Sequence, residues 1–306
     1  MKVCRPLKAT KVCLYILFSV LIVSCRKEAP AEILPPPPAP TITATLQDND
    51  HLLLGNPTNA VTDPSNATNY LKDNHYYKLS YNSQRGIPTW VSWHFQSEDR
   101  GATPRQDNFR PDTLPPSFYQ VTNSSYTGSG FDRGHNCPSG DRTSSYDANS
   151  STFLMTNIIP QAPTLNQGPW EGLETYMRNT LVGTTKEAYV IMGNYGTGGR
   201  GSNGPASSID AGRVTVPQMI YKVIVVLLKG NNDLQRLDTS ATVLVVNMPN
   251  DNTLYTTTSA GNNQWRNYVT TITQVEKASG EAGIPLKLLE NVSAPVRAHL
   301  KEKRFH

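Results

Sequence analysis

The sequence predicts a folded domain of mixed α and β structure, and three observations carry that expectation. Residues 90–95, 153–159, 188–193, 219–228 and 242–248 are aromatic or β-branched runs of strand length. The last two are continuously apolar, which places them centrally in a sheet. Residues 167 to about 181 carry Trp170, Leu173, Met177 and Leu181 at helical spacing, with Pro169 near the first turn, and a second helix is expected from about 264 to 278, ended by Gly280. No internal repeat is visible.

The domain does not begin at the first residue. Lys2, Arg5, Lys8 and Lys11 precede an apolar run over about residues 12–23, too short to span a bilayer comfortably. This is the charged and apolar pattern of an export signal over residues 1–24. It ends Leu21-Ile22-Val23-Ser24-Cys25, which looks like a bacterial lipoprotein signal with Cys25 as the lipidated residue. Residues 25–50 read as a linker, stiffened by Pro35-Pro36-Pro37-Pro38 in a polyproline II conformation. The expected domain is 51–306, held at the cell envelope by its lipid, on the outer membrane or facing the periplasm.

Removal of the signal changes the charge balance. The chain has 28 basic and 24 acidic residues, and loss of the four basic residues in 1–24 leaves the two equal. Overall electrostatics therefore does not argue for a nucleic-acid partner, and such a reading must rest on local chemistry. Of four cysteines, two leave with the signal and Cys25 takes lipid, so Cys137 has no disulfide partner. No CxxC, HExxH or helically spaced His pair supports a zinc site. Gly196-Thr197-Gly198-Gly199-Arg200-Gly201 has the form of a dinucleotide fingerprint, but Pro205 and a missing amphipathic helix argue for a mobile loop instead.

The chemistry centres on Asp132-Arg133-Gly134-His135. A histidine can take a proton from water near neutral pH, an arginine can sit beside a phosphate, and Gly134 would permit a turn between them. Alone, such a string also fits a surface turn. Asn157, Asn166 and Glu174 follow 22, 31 and 39 residues after His135. Asn166 stands at a helix entrance, where it could equally be an N-cap. Glu174 lies eight residues on, about 12 Å along an ideal axis, so a hard cation between them would be bridged through water.

These residues resemble a known family. Asp132-Arg133-Gly134-His135, Thr156-Asn157-Ile158-Ile159-Pro160-Gln161, Leu165-Asn166-Gln167-Gly168-Pro169-Trp170 and Leu173-Glu174 look like the DNA/RNA non-specific endonucleases, the ββα-metal or His-Me finger group that includes endonuclease G. The resemblance runs from about Leu52 to Leu300, with further support from Asn108-Phe109-Arg110-Pro111-Asp112 and Val246-Asn247-Met248-Pro249-Asn250. It implies an α+β fold: a central antiparallel sheet flanked by helices, and a strand pair followed by a helix around the metal. It further implies Mg²⁺, with Mn²⁺ able to substitute, and hydrolysis of DNA and RNA to 5′-phosphate ends.

On that resemblance His135 is the general base, and Asn166 is the direct Mg²⁺ ligand. Glu174 holds the metal's water shell and Asn157 orients the site. Arg133 binds phosphate, and Asp132 positions its neighbours or metal-bound water. A second arginine is expected upstream, Arg105 first and Arg110 second. Cys137 stands where the family usually has alanine; it could be a nucleophile by composition, and a small buried residue explains it as well. A lipid-anchored module that binds nucleic acid without cutting is the rival reading, and digestion with and without EDTA separates the two.

Wild-type protein should fractionate with membranes, resist a salt wash and need detergent, whereas Cys25→Ser should lose the lipid. Several acyl chains anchor stably where one holds marginally. Wild type recovered in the salt wash, with Cys25 unmodified by mass spectrometry, contradicts it.

Overall fold

The computed structural model describes residues 47–306 apart from Ala260. They fall in one compact unit, Thr45–His306. The expected signal, Cys25 and the polyproline stretch lie outside the described residues. Of the expected linker, 25–50, residues 47–50 are described. Asp48 accepts bonds from the backbone N–H groups of Asn232 and Asp233, and Asp50 pairs with Lys78 at 2.9 Å. Polar residues that read as linker thus serve as caps and ion-pair partners.

Strands β1 (Tyr70–Asp73), β2 (Lys78–Asn82) and β3 (Ile87–Gln96) come first, then the short β4 (Asp132–His135) and β5 (Ile158–Gln161). The long β6 (Lys186–Tyr195) precedes two small pairs, β7 (Gly199–Gly201) with β8 (Gly204–Ala206), and β9 (Ser208–Ile209) with β10 (Val214–Thr215). The last two are β11 (Met219–Leu228) and β12 (Thr242–Pro249). The central sheet has the order β1-β2-β3-β6-β11-β12 and is antiparallel throughout.

Strand alternation splits β11 between two cores: Ile220, Ile224 and Val226 face one, and Tyr221, Val223 and Val225 face the other. The run 242–248 is an edge strand, not a central one. Its continuous apolarity reports that both faces are covered, with Leu244 and Val246 in one core and Val243 and Val245 in the other. The expected strand 153–159 is reduced to β5, because Asn157 ends a tight turn and its side chain bonds back to Thr152 O. The glycine-rich segment is the β7–β8 hairpin rather than a loose loop. Gly201 packs so closely on the Gly130 carbonyl that a Cβ would lie 2.4 Å from it.

The helices are α1 (Tyr146–Ser151), α2 (Pro163–Leu165), α3 (Glu171–Tyr176), α4 (Asp233–Arg236), α5 (Ile272–Glu281) and α6 (Ala294–Glu302). The helix expected from residue 167 starts at Pro163 and kinks at Gly168, whose φ of −117° and ψ of −107° are not helical. Wider π-type turns at Asn166–Trp170 and Met177–Val182 flank α3. Pro169 heads the segment beyond the kink, where its missing N–H costs nothing. The helix expected over 264–278 is two pieces, a 3₁₀ segment Gly261–Tyr268 and α5. Val269 bridges to Val246, and the Thr271 side chain then caps α5 by accepting from Gln274 N. Gly280 lies inside α5, and the chain turns instead at Gly283 with φ +81°.

The half-buried His51 ties the start of the domain to β3. Its Nε2 lies 3.0 Å from the His75 carbonyl, and its Nδ1 accepts the backbone N–H of His94 at 3.2 Å. Burial, with Arg142 nearby, lowers its pKa to about 4. The unfolded histidine, near 6.5, binds its proton first. The resulting stability is complete above about pH 6.5 and is lost as pH falls from there toward 4. His51→Gln should therefore flatten the stability–pH curve over that window by on the order of 2 kcal/mol. Chemical denaturation at pH 7 and pH 4.5 measures this, and equal slopes in the two proteins would show that His51 is not responsible.

Candidate active site

The site is built on the pairing of β4 with β5, in which His135 stands opposite Ile158, Gly134 opposite Ile159 and Asp132 opposite Gln161. Gly134 is therefore in a strand, not the turn expected of it. Glycine is needed there for close approach, since a Cβ would meet Gln161 Oε1 at 2.3 Å and Gln161 Cβ at 2.6 Å. Asn157 fastens the far end of the pair. It is fully buried, accepts from Cys137 N at 2.9 Å, and donates through Nδ2 to the carbonyls of Cys137 at 2.8 Å and Thr152 at 2.9 Å. It fixes the chain just past His135 without lining the cleft.

Leaving β5, the chain is anchored by Asn250, whose Oδ1 accepts from Ala162 N at 2.7 Å and whose Nδ2 donates to Pro160 O at 2.9 Å. The kinked helix then swings Asn166 back over β4. Asn166 is helical, with φ −61° and ψ −48°, so it is not the helix N-cap. Its Nδ2 donates to Asp132 Oδ2 at 2.8 Å, as does Gln167 Nε2. A carboxylate can only accept from these amides, so the orientation of Asn166 is determined and Oδ1 is the atom left for another partner.

Two adjoining clefts of about 260 and 440 Å³ share Arg105, Arg133, Asn166 and Gln167 as walls. The smaller also takes in His135, Glu174 and Arg178. His135 is half-buried between Phe109 and Phe153, at ring-centre distances of 5.4 and 4.9 Å. Burial, aided by the charges of Arg105 and Arg133, lowers its pKa to about 3. Its Nε2 is enclosed and has no hydrogen-bond partner. The nitrogen left to meet water is Nδ1.

The two arginines rest on the same aromatic pair, Arg133 over Phe109 at 4.1 Å and Arg105 over Phe153 at 4.8 Å. Arg133 also donates to Asn123 Oδ1. Arg110 does not line either cleft. It donates to the carbonyls of Ser150 at 2.9 Å and Asn108 at 3.4 Å, holding the segment that carries Phe109. Cys137 is fully buried, and burial pushes its thiol well above the ordinary range, which rules out a ready nucleophile.

Glu174 is not a solvated helical charge. It is 9 % exposed, with Oε1 2.8 Å from Lys222 Nζ and Oε2 3.8 Å from Arg178 Nη1. Neither cation was singled out from the sequence. Arg178 could have been, four residues after Glu174 on one helix; the signal for Lys222 was a single charge inside a continuously apolar strand.

A second group, His94, Glu187 and Asp233, brings ligand-type atoms within 4.8 Å of one another on the opposite face of the sheet. Its oxygens are already engaged. Glu187 accepts from His94 and Arg236, each at 3.0 Å, and Asp233 accepts from Arg236 at 2.5 Å and Tyr189 OH at 2.6 Å. Arg236 supplies the positive charge that a cation otherwise would, so this is a buried ion-pair network.

Two strands and a helix closing on one cleft, beneath a six-stranded antiparallel sheet, make this an α+β nuclease fold of the ββα-metal kind. The chain belongs to the DNA/RNA non-specific endonuclease family, whose model matches residues 54–294. It is 40 % identical over 254 residues to a nuclease of Nostoc sp., covering 83 % of this chain and 85 % of that one. It is 29 % identical over 221 residues to human mitochondrial endonuclease G, covering 70 % and 69 %. A solved structure of the EndoG/EndoGI complex shares the fold, with a TM-score of 0.61 at 24 % identity over 80 % of this chain and 92 % of that one. The protein is thus an endonuclease-type hydrolase.

Gly134→Ala should force β4 away from β5 and lower both melting temperature and cleavage rate, since overpacking of this kind costs about 1–3 kcal/mol. Wild-type melting and wild-type cleavage in that variant would show that the close approach to Gln161 is dispensable.

Proposed function

We propose that this cleft hydrolyses phosphodiester bonds of DNA and RNA by attack of water, with Mg²⁺ as cofactor, Mn²⁺ able to replace it, and 5′-phosphate ends as products. The observation that carries the reading is the bond from Asn166 Nδ2 to Asp132, which commits the amide nitrogen and leaves Oδ1 as a hard oxygen donor on the His135 cleft. With the Glu174 carboxylate behind it, the donor set is all oxygen and small, as suits an ion that keeps most of its waters. Bound there, a divalent cation would stabilise charge on the phosphate and the departing oxygen.

The chain's own groups do the rest. His135 Nδ1 accepts the proton of the attacking water. Its low proton affinity keeps it neutral at pH 7, and the negative charge of a bound diester raises that affinity toward the range where a base works well. Arg105 and Arg133 bind phosphate oxygens, and their stacking on Phe153 and Phe109 limits the freedom they must give up on binding. Asp132 holds Asn166 in the one orientation that can ligate, and Asn157 keeps the chain after His135 in place. We further propose, from residues 1–40, that the enzyme is exported and lipid-anchored at Cys25, meeting extracellular or periplasmic nucleic acid.

His135→Ala should lose about 10² to 10⁴-fold in plasmid cleavage while still binding DNA, and EDTA should stop wild type. Cleavage by the variant at the parent rate would overturn His135 as base, and cleavage by wild type in EDTA would overturn the metal.

A further inference from the structure

Lys222 is the charged residue of β11, flanked by Ile220, Tyr221, Val223 and Ile224. It is 0 % exposed and shares its sheet face with Ile220 and Ile224, the face bearing the core of α3. An ammonium removed from water is costly unless partners replace its hydration. Here they are present: Nζ lies 2.8 Å from Glu174 Oε1, 4.8 Å from the ring centre of Trp170 and 5.5 Å from that of Trp93. Glu174 Oε2 is left on the cleft side, near Arg178. Arg178 Nη1 donates to Asp141 Oδ1 at 3.0 Å, and Asp141 Oδ2 accepts from Trp93 Nε1 at 3.0 Å. Two cations and two anions, with the Trp93 indole between Asp141 and Lys222, thus form a closed circuit linking sheet and helix. An apolar side chain of similar length would fill the place of Lys222 with less desolvation.

We propose that Lys222 is a positioning residue for the cation site. From beneath α3 it pins Oε1 of Glu174, so that Oε2 faces the place beside Asn166, and it thereby sets divalent-cation affinity without touching substrate or metal. This rests on the reading of Asn166 and Glu174 as that site.

The test is calorimetric titration of Mg²⁺ into the metal-free full-length protein without nucleic acid, alongside thermal melting. It compares wild type, Lys222→Met, Glu174→Gln and the double variant. Lys222→Met should weaken Mg²⁺ binding about 10 to 100-fold, the range for groups that orient a metal's ligands. Because Lys222 acts through Glu174, the double variant should bind no more weakly than Glu174→Gln alone. A merely structural lysine would lower the melting temperature and leave the affinity of the folded protein unchanged. Should Lys222→Met fail to fold around its unpaired carboxylate, Lys222→Gln, whose shorter uncharged side chain gives Glu174 a weaker hold, takes its place: weaker Mg²⁺ binding than wild type in the folded protein supports the proposal, and unchanged binding overturns it. Wild type that binds while Lys222→Met binds equally well overturns this proposal alone; wild type that binds no Mg²⁺ overturns the metal reading and this with it.

Discussion

His135 and Asn166 are 31 residues apart in sequence, and the antiparallel pairing of β4 with β5 brings them to one cleft. Everything that holds this pair together therefore acts on the site. Gly134 allows the strands to close over Gln161, Asn157 clips the chain beyond His135, and Asn250 receives the chain as it leaves β5. None of these three touches substrate in the proposed reaction. Each removes a freedom of the chain between the proposed base and the proposed ligand, where catalysis tolerates displacements of only a fraction of an ångström.

Charge is distributed to the same end. The two faces of the sheet each bury an ion network, Lys222–Glu174–Arg178–Asp141 on the cleft side and His94–Glu187–Arg236–Asp233 on the other. Such networks contribute little net stability, because desolvation offsets much of their attraction. Losing a member leaves an uncompensated charge, however, so they hold geometry firmly. The difference between the two faces is access. The second network has its oxygens occupied by protein donors, whereas on the cleft side Asn166 Oδ1 and the Glu174 edge stay available.

Much of this was legible in the sequence, and what was not has physical causes. The runs at 90–95, 188–193 and 219–228 are strands because β-branched and aromatic residues fit a pleated, buried surface, and the order of motifs around His135 named the family. Apolarity could not say that 242–248 is an edge, since it reports covered faces and not hydrogen-bond neighbours. The kink at Gly168 and the break at 269–271 are tertiary effects, the latter set by a bridge from Val269 to Val246. At the site, Arg105 and Arg110 are equivalent as letters five positions apart. Only the fold shows that one stacks over Phe153 at the cleft while the other is consumed by backbone carbonyls. Lys222 was hidden for a related reason: its partner lies 48 residues away, and no local spacing announces it.

A chain with equal basic and acidic counts outside residues 1–24 has no general attraction for nucleic acid. The pull must come from local groups, and here Arg105 and Arg133 face both clefts, Arg105 beside the exposed Asp107, while Arg178 is engaged by Asp141 and Asp132 and Glu174 are turned to Asn166, Gln167 and Lys222. Guanidinium groups set on aromatic rings suit phosphate oxygens, which every step of DNA and RNA presents alike. Base edges would need side chains reaching into a groove, whereas the cationic and amide groups lining the clefts, Arg105, Arg133, Arg178, Asn123, Asn166 and Gln167, are of the kind that meets phosphate oxygens. On the proposed reading, a site that contacts the backbone would be indifferent to sequence and to the sugar, the property for which the family is described.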